Sequence, residues 1–264
     1  GRSGFSSWNA HSTPDPTKMR TRWKITIEYD GQPFVGWQRQ NNGSTIQEAI
    51  ENAIHAFSQE SVTLYGAGRT DSGVHALGQS AHFDLSCTTS PDTVRDAINF
   101  HLRPLPIVIL NVEKTYANFH ARVDAVARHY KYRILNRRSP PTIDIGRVWH
   151  IPHKLDIEKM ADAATTLIGK HDFTSFRAAA CQASSPIKTL MRLEIQKVKN
   201  EIHIEADARS FLHHQVRNIV GTLRLVGEGK WCRADVEQAL AARDRSAAGP
   251  TAPAEGLYLT SVDY

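Results

Sequence analysis

Residues 65–79 hold one acid in the most chemically loaded stretch of the chain: Tyr-Gly-Ala-Gly-Arg-Thr-Asp-Ser-Gly-Val-His-Ala-Leu-Gly-Gln. Four glycines bend it, and Arg69 stands two positions before Asp71. A carboxylate on a tight, glycine-rich segment beside a guanidinium is more often a site than a spacer. An ionised, ordered Asp can act as nucleophile or base, and a neighbouring positive charge keeps it ionised; Arg69 is expected to supply that charge. In the plainer alternative Asp71 closes a turn through an Asx bond and Arg69 only neutralises it. These residues alone leave both readings open.

Other chemistries fit the stretch poorly. Asp71 stands where a dinucleotide fingerprint needs its third glycine, and Gly68 to Gly73 is followed by Val-His instead of the Lys-Ser/Thr of a P-loop. The segment is expected to join strand to strand, which offers a phosphate no helix N-terminus. His75 and His82 are seven apart and His213 and His214 adjacent; neither pair has the i,i+4 spacing or cysteine partner of a zinc site, so no metal is expected. Ser72 lacks the Gly-x-Ser-x-Gly context of a nucleophile elbow.

Two further segments carry candidates. A helix is expected over 210–227, with Leu212, Val216, Ile219, Val220, Leu223 and Val226 as its packed stripe and His213, Arg217 and Arg224 along one border. Arg217 is then half-shielded and able to reach into a cleft; a solvated basic edge with snorkelling stems has the same pattern. The strand Arg128-His-Tyr-Lys-Tyr-Arg133 interleaves bases with aromatics. Its bases can neutralise phosphates while a ring stacks on a nucleobase. Equally, Tyr130 and Tyr132 can be core residues.

The elements that must position these groups follow from periodicity. Trp23 to Tyr29 alternates as a half-buried strand. Ser44 and Gln47 read as a capping box, followed by Ile46, Ile50, Ala53, Ile54 and Phe57 at helical spacing. Strands at 62–65 and 80–85 flank the glycine-rich loop. Ser90-Pro91 opens a second helix through Val94, Ala97, Ile98 and His101, and Ile107 to Val112 is a strand. The order β-α-β-β-α-β is the ferredoxin-like (RRM-like) split motif. It recurs: a strand through Tyr130, Tyr132 and Ile134, a helix over 156–168, and a strand with Met191, Leu193 and Ile195 on one face. A turn at Asn200-Glu201, a strand with Ile202, Ile204 and Ala206, helices over 210–227 and 234–242, and a last strand at 257–262 complete it. The expected class is α+β, two halves of like topology with antiparallel sheets. Residues 1–21 read as a disordered leader or tag remnant, 22–122 as the half carrying the Asp71 loop, and 123–264 as the other half.

The chain's length supports a sizeable core in one or two domains, and 41% apolar with 22% charged residues is ordinary for a globular protein. No apolar run approaches a bilayer span, and no hydrophobic export signal precedes the first strand. Three well-separated cysteines have neither disulfide nor zinc spacing, which points to a reducing cytoplasm. A net charge of +5 mildly favours a polyanionic partner.

Together these segments resemble the TruA-type tRNA pseudouridine synthase family over about 23–264. The motifs that carry the resemblance are Tyr29-Asp-Gly31, Gly36-Trp-Gln-Arg-Gln40, Gly68-Arg-Thr-Asp-Ser-Gly-Val-His-Ala76, Gly78-Gln, His82-Phe83, Phe119-His-Ala-Arg122, Arg128-His-Tyr-Lys-Tyr132, His171-Asp-Phe-Thr-Ser-Phe-Arg177, Phe211-Leu-His-His-Gln-Val-Arg-Asn-Ile-Val-Gly221 and Glu255-Gly-Leu-Tyr-Leu259. Ser72 departs from the family's usual Ala. The resemblance implies two α/β halves around a central basic cleft, a homodimer, and conversion of uridine to pseudouridine at positions 38, 39 and 40 of the tRNA anticodon stem-loop. It implies neither metal nor cofactor. Asp71 aligns with the catalytic aspartate, Arg217 with its arginine partner, Arg69 with the residue that displaces the target base, and Tyr130 with the tyrosine that packs on it. A non-catalytic RNA-binding module and a hydrolase using Asp71 with a histidine are the competing expectations.

Overall fold

The computed structural model describes residues 19–264. The expected leader therefore lies almost wholly outside the described residues, and the first strand, β1 (Thr21–Tyr29), begins at its last position. Trp23, Ile25, Ile27 and Tyr29 are buried in strict alternation. In α1 (Ile46–Ser58), Ile46, Ile50, Ala53 and Ile54 pack inward. Its cap is Thr45, not Ser44: the Thr45 hydroxyl accepts from the Glu48 N–H, while the Ser44 carbonyl is taken by Val35 N–H.

The strand expected at 62–65 reduces to β2 (Tyr65–Gly66), and β3 (His75–Leu85) starts well before residue 80. α2 (Pro91–Leu102) has Ser90 as its cap, with Val94, Ile98 and Leu102 buried and His101 exposed. Then come β4 (Ile107–Thr115), β5 (Ala127–Leu135), β6 (Trp149–His150) and α3 (Ile157–Ala164). α3 stops short of Ile168 because its last turn tightens into a 3-10 turn at Thr165–Leu167. Next are β7 (Gly169–Asp172), β8 (Ile187–Val198), β9 (Glu201–Ala208), α4 (Gln215–Gly227), α5 (Arg233–Ala242) and β10 (Leu257–Asp263). In β8 a register shift between Leu190 and Arg192 breaks the expected alternation. Leu190 and Leu193 point inward and Met191 is exposed.

The fold is α+β, as expected. All ten described strands join one largely antiparallel sheet ordered β4-β1-β3-β10-β5-β9-β8-β7, with β2 on β3 and β6 on β5. β10 comes last in sequence but lies between β3 and β5, parallel to the first and antiparallel to the second. Two cores flank this seam. Leu259 of β10 belongs to the one built on β1, β3, α1 and α2, and Leu257 to the one built on β5, β8, β9, α3 and α4. A Cβ on Gly78 would meet the Thr260 carbonyl oxygen at 2.4 Å, so this glycine permits the close approach of β10. Likewise, a Cβ on Gly221 would sit 1.6 Å from the Pro250 carbonyl oxygen, which lets α4 lie directly on that backbone. Among the described residues no helix is long and apolar enough to cross a membrane.

His82 makes part of this fold pH-sensitive. Its ring is buried and stacked on Tyr65, and its Nδ1 accepts from the Ala121 N–H at 3.0 Å. Burial, then the nearby charges of Arg22 and His120, lower its pKa to about 4. Protonation therefore favours the unfolded chain. The stabilisation is complete above the ordinary value of 6.5 and is lost as the pH falls towards 4. At about 1.4 kcal/mol per pKa unit, the loss over that window is about 3 kcal/mol. Urea denaturation across the window is expected to show this slope in the wild type and a flatter profile in His82→Asn, whose amide oxygen can still accept the Ala121 bond.

Candidate active site

The loop between β2 and β3 is held from several sides. The Gly68 carbonyl accepts from Gln79 Nε2 at 2.8 Å, and Thr70 Oγ1 is hydrogen-bonded to the Tyr29 hydroxyl at 2.7 Å. Trp37 N–H donates to the Thr70 carbonyl at 3.0 Å, and Val74 N–H to the Asp71 carbonyl at 3.0 Å. Behind the loop runs the segment starting at Gly36. There φ is +108° and a Cβ would stand 2.9 Å from the Thr70 carbonyl oxygen, so only glycine fits without strain. The hydroxyl of Ser72 donates to the Phe34 carbonyl, a bond Ala could not make.

This framework aims the Asp71 side chain across the seam at the start of α4. Oδ1 accepts from His213 Nε2 at 2.8 Å, and Oδ2 lies 3.1 Å from Arg217 Nη1 and 3.3 Å from His214 Nε2. The carboxylate is thus committed to these partners and not to an Asx turn. Arg217 is itself anchored: its Nε donates to the Ala252 carbonyl at 2.8 Å, and its own carbonyl accepts from Ala252 N–H. Burial alone would raise the Asp71 pKa, but hydrogen bonds and positive charge from His214 and His213 outweigh it and hold the carboxyl at about 2.

Three expectations change here. Arg69 is exposed on the cleft wall and is not among the ion-pair partners of Asp71, whose cations come from 142 or more positions away in sequence. The helix begins at Gln215, not at 210, so His213 lies in the preceding segment and His214 caps α4 in the left-handed region at φ 64°. Gln215 Oε1 accepts the Leu212 N–H and stabilises this entry. Arg224 faces elsewhere, over Trp149 and paired with Glu228. Finally, the bases of β5 are mostly committed within the protein. His129 pairs with Asp207 and Asp263, Lys131 with Glu205, and Arg133 with Glu201. Buried Arg128 reaches the carbonyls of Ala67, Arg122 and Arg209 and so ties the Asp71 loop to β5 and to the segment before His213.

Tyr130 and Tyr132 divide between the two readings. Tyr132 is fully buried and donates to the Pro253 carbonyl. Tyr130 is half-buried, packs edge-on against Phe211 at 5.1 Å between ring centroids, and lines the cleft near Gly68. Residues 180–183 line the far side of the cleft, and Arg177 braces them by donating to the Cys181 and Ala183 carbonyls, while Cys181 Sγ accepts from the His213 N–H.

The cleft holds about 990 Å³, enough for a nucleotide-sized group. Arg69, Arg122, Arg128 and Arg217 line it with Trp37, Tyr130 and Phe211, and Asp71 is the single carboxylate among its lining residues. The sequence reading missed His213 and His214 as partners of Asp71. The available signal was the His-His doublet four and three residues before Arg217. With Asp71 they form a group of potential metal ligands whose donor atoms lie within 4.8 Å of one another.

A basic, aromatic-walled cleft around one paired carboxylate is suited to a polyanionic ligand. Comparison with known proteins gives the family. The tRNA pseudouridine synthase pattern matches residues 25–124 and 163–264. The tRNA pseudouridine synthase A of Rhodospirillum centenum is 59% identical over 243 residues, covering 92% of this chain and 99% of that protein. Those of Parvibaculum lavamentivorans and Maricaulis maris are 54% identical over the same share of this chain, covering 99% and 98% of their own lengths. The chain belongs to the tRNA pseudouridine synthase family.

Proposed function

We propose that the protein isomerises uridine to pseudouridine at positions 38, 39 and 40 of the tRNA anticodon stem-loop, with Asp71 as the catalytic carboxylate. The observation that carries this reading is Asp71, the one acid among the described residues that line an arginine-walled cleft, paired there with Arg217, His213 and His214. Family membership and the names of the relatives support the substrate.

The reaction breaks the N1–C1′ bond, turns the uracil, and joins C5 to C1′; the C5 proton is lost and N1 gains one. Nothing is added or lost overall, so the step calls for neither a redox change nor an activated water. Asp71 can attack the sugar carbon, add to the base, or remove a proton. A base in a stem must first leave the stack, at a cost of a few kcal/mol. Arg69, exposed at the cleft wall, fills the place it vacates, and Tyr130 gives the flipped ring a face. Residues 22–122 contribute the Asp71 loop, and 123–264 contribute Tyr130, His213, His214 and Arg217. By the same resemblance the protein works as a homodimer, and its three separated, free cysteines suit a reducing cytoplasm.

Carbodiimide-labelled primer extension on tRNA incubated with the wild-type protein tests the assignment. Stops at the three positions are expected; unmodified tRNA, or released base, would overturn it. Arg69→Ala is expected to lower single-turnover kcat by about 10²-fold, as loss of a positioning contact does, with tRNA affinity changed less than about threefold because other arginines remain. Filter binding beside single-turnover rates checks this split; equal losses would make Arg69 a phosphate contact.

A further inference from the structure

The segment before α4 delivers two imidazoles to one carboxylate, a donor set that suits more than hydrogen bonding. Asp71 Oδ1 is 2.8 Å from His213 Nε2, and Oδ2 is 3.3 Å from His214 Nε2. The two rings lie side by side with centroids 4.0 Å apart. All three donor atoms fall within 4.8 Å of one another. A tetrahedral zinc ion with bonds of about 2.0–2.1 Å separates its ligand atoms by about 3.3 Å, so small side-chain adjustments bring these donors onto a common ion. Two imidazole nitrogens and a carboxylate oxygen suit zinc-class cations and not the all-oxygen shells of magnesium or calcium. His213 has 42% of its side chain exposed, and the open cleft leaves a fourth position for water.

We propose that Asp71, His213 and His214 bind one zinc-class divalent cation in the free protein, and that this ion silences the enzyme by occupying Asp71. Binding stands independently of the proposed reaction; the silencing rests on it. In the complex the imidazoles bind through unprotonated Nε2, so the His213 hydrogen bond to Asp71 is replaced by the metal. Arg217 Nη1, 3.1 Å from Oδ2, repels the incoming cation. That repulsion makes the site weaker than a structural zinc centre, and hence reversible.

Cobalt(II) titration of the full chain without RNA, followed by visible absorption, reads the site directly. One equivalent of low-symmetry cobalt bands, bleached by zinc and unaffected by magnesium, is expected. Cobalt–thiolate charge-transfer absorption would overturn the assignment by placing the ion on a cysteine. Loss of even an outer partner of a metal site costs about 10–100-fold in affinity, so His213→Gln and His214→Gln are each expected to weaken binding at least about tenfold. Asp71→Asn is a third variant should either histidine variant not fold. Unchanged affinity in the folded variants would overturn the site. In the second arm zinc is expected to stop pseudouridine formation and excess EDTA to restore it. An enzyme that binds zinc at these residues and stays active would overturn the silencing. If the wild type makes no pseudouridine with or without EDTA, the proposed function and the silencing fail together, and the cobalt titration still decides the site.

Discussion

Asp71→Asn is expected to lower pseudouridine formation by about 10⁴-fold or more, the upper end of what one positioned acid–base group supplies. Its tRNA affinity should stay within about threefold of the wild type, because binding to a polyanion is set by the cationic contacts. The substitution keeps the size and shape of the side chain, and its amide oxygen can still accept from Arg217 or His213. What it removes is the charge that two imidazoles and a guanidinium gather round. No other carboxylate lines the cleft among the described residues, so no neighbour can substitute. Single-turnover rates and filter binding on the same tRNA make the measurement. A variant within tenfold of the wild-type rate would remove Asp71 from the chemistry, and parallel losses of rate and affinity would make it a scaffold for the arginines.

Much of the fold was legible because local patterns and packing agree. The alternation of β1 and the spacing of Ile46, Ile50 and Ile54 in α1 are rewarded directly by burial. The misreadings fall where tertiary contacts override a local rule. Gly78 looks like loop punctuation, yet it sits inside β3 because the Thr260 carbonyl leaves room for nothing larger. Met191 faces solvent because a register shift in β8 reverses the alternation there. Both Ser44 and Thr45 are competent caps, and only the backbone partner of Ser44 decides between them.

The site was legible as residue types and opaque as pairings. Arg69 adjoins Asp71 in sequence, so proximity along the chain suggested an ion pair; the loop turns it to the cleft wall instead. The bases of β5 were visible, but the acids that neutralise them lie on β9 and β10. The α4 periodicity, extended through residues 210–214, puts His213 on a helix border, but the left-handed His214 and the Gln215 bond to Leu212 end the helix there. That interruption turns both imidazoles to the carboxylate, and no periodicity rule reports it.

Arg217 carries the second large effect, because one rigid guanidinium holds two partners at fixed angles. Nε donates to the Ala252 carbonyl and Nη1 to Asp71. Lysine keeps the charge but offers a point donor on a flexible stem and cannot reproduce that fork. Arg217→Lys is therefore expected to leave Asp71 ionised yet displaced, at a cost of about 10²-fold in single-turnover rate with tRNA affinity unchanged. Arg217→Ala removes the charge as well. Stripping one partner from a buried pair costs about 3–5 kcal/mol. Here the side chains retain 15% and 22% of their exposure, so the expected loss of stability is smaller, about 2 kcal/mol by urea denaturation. Its rate should fall below that of the lysine variant, because Asp71 then keeps only the two imidazoles. The order wild type, Lys, Ala separates geometry from charge. A lysine variant with the full rate would show that Arg217 acts by charge alone. Equal losses in Lys and Ala would show that position is the whole of its contribution.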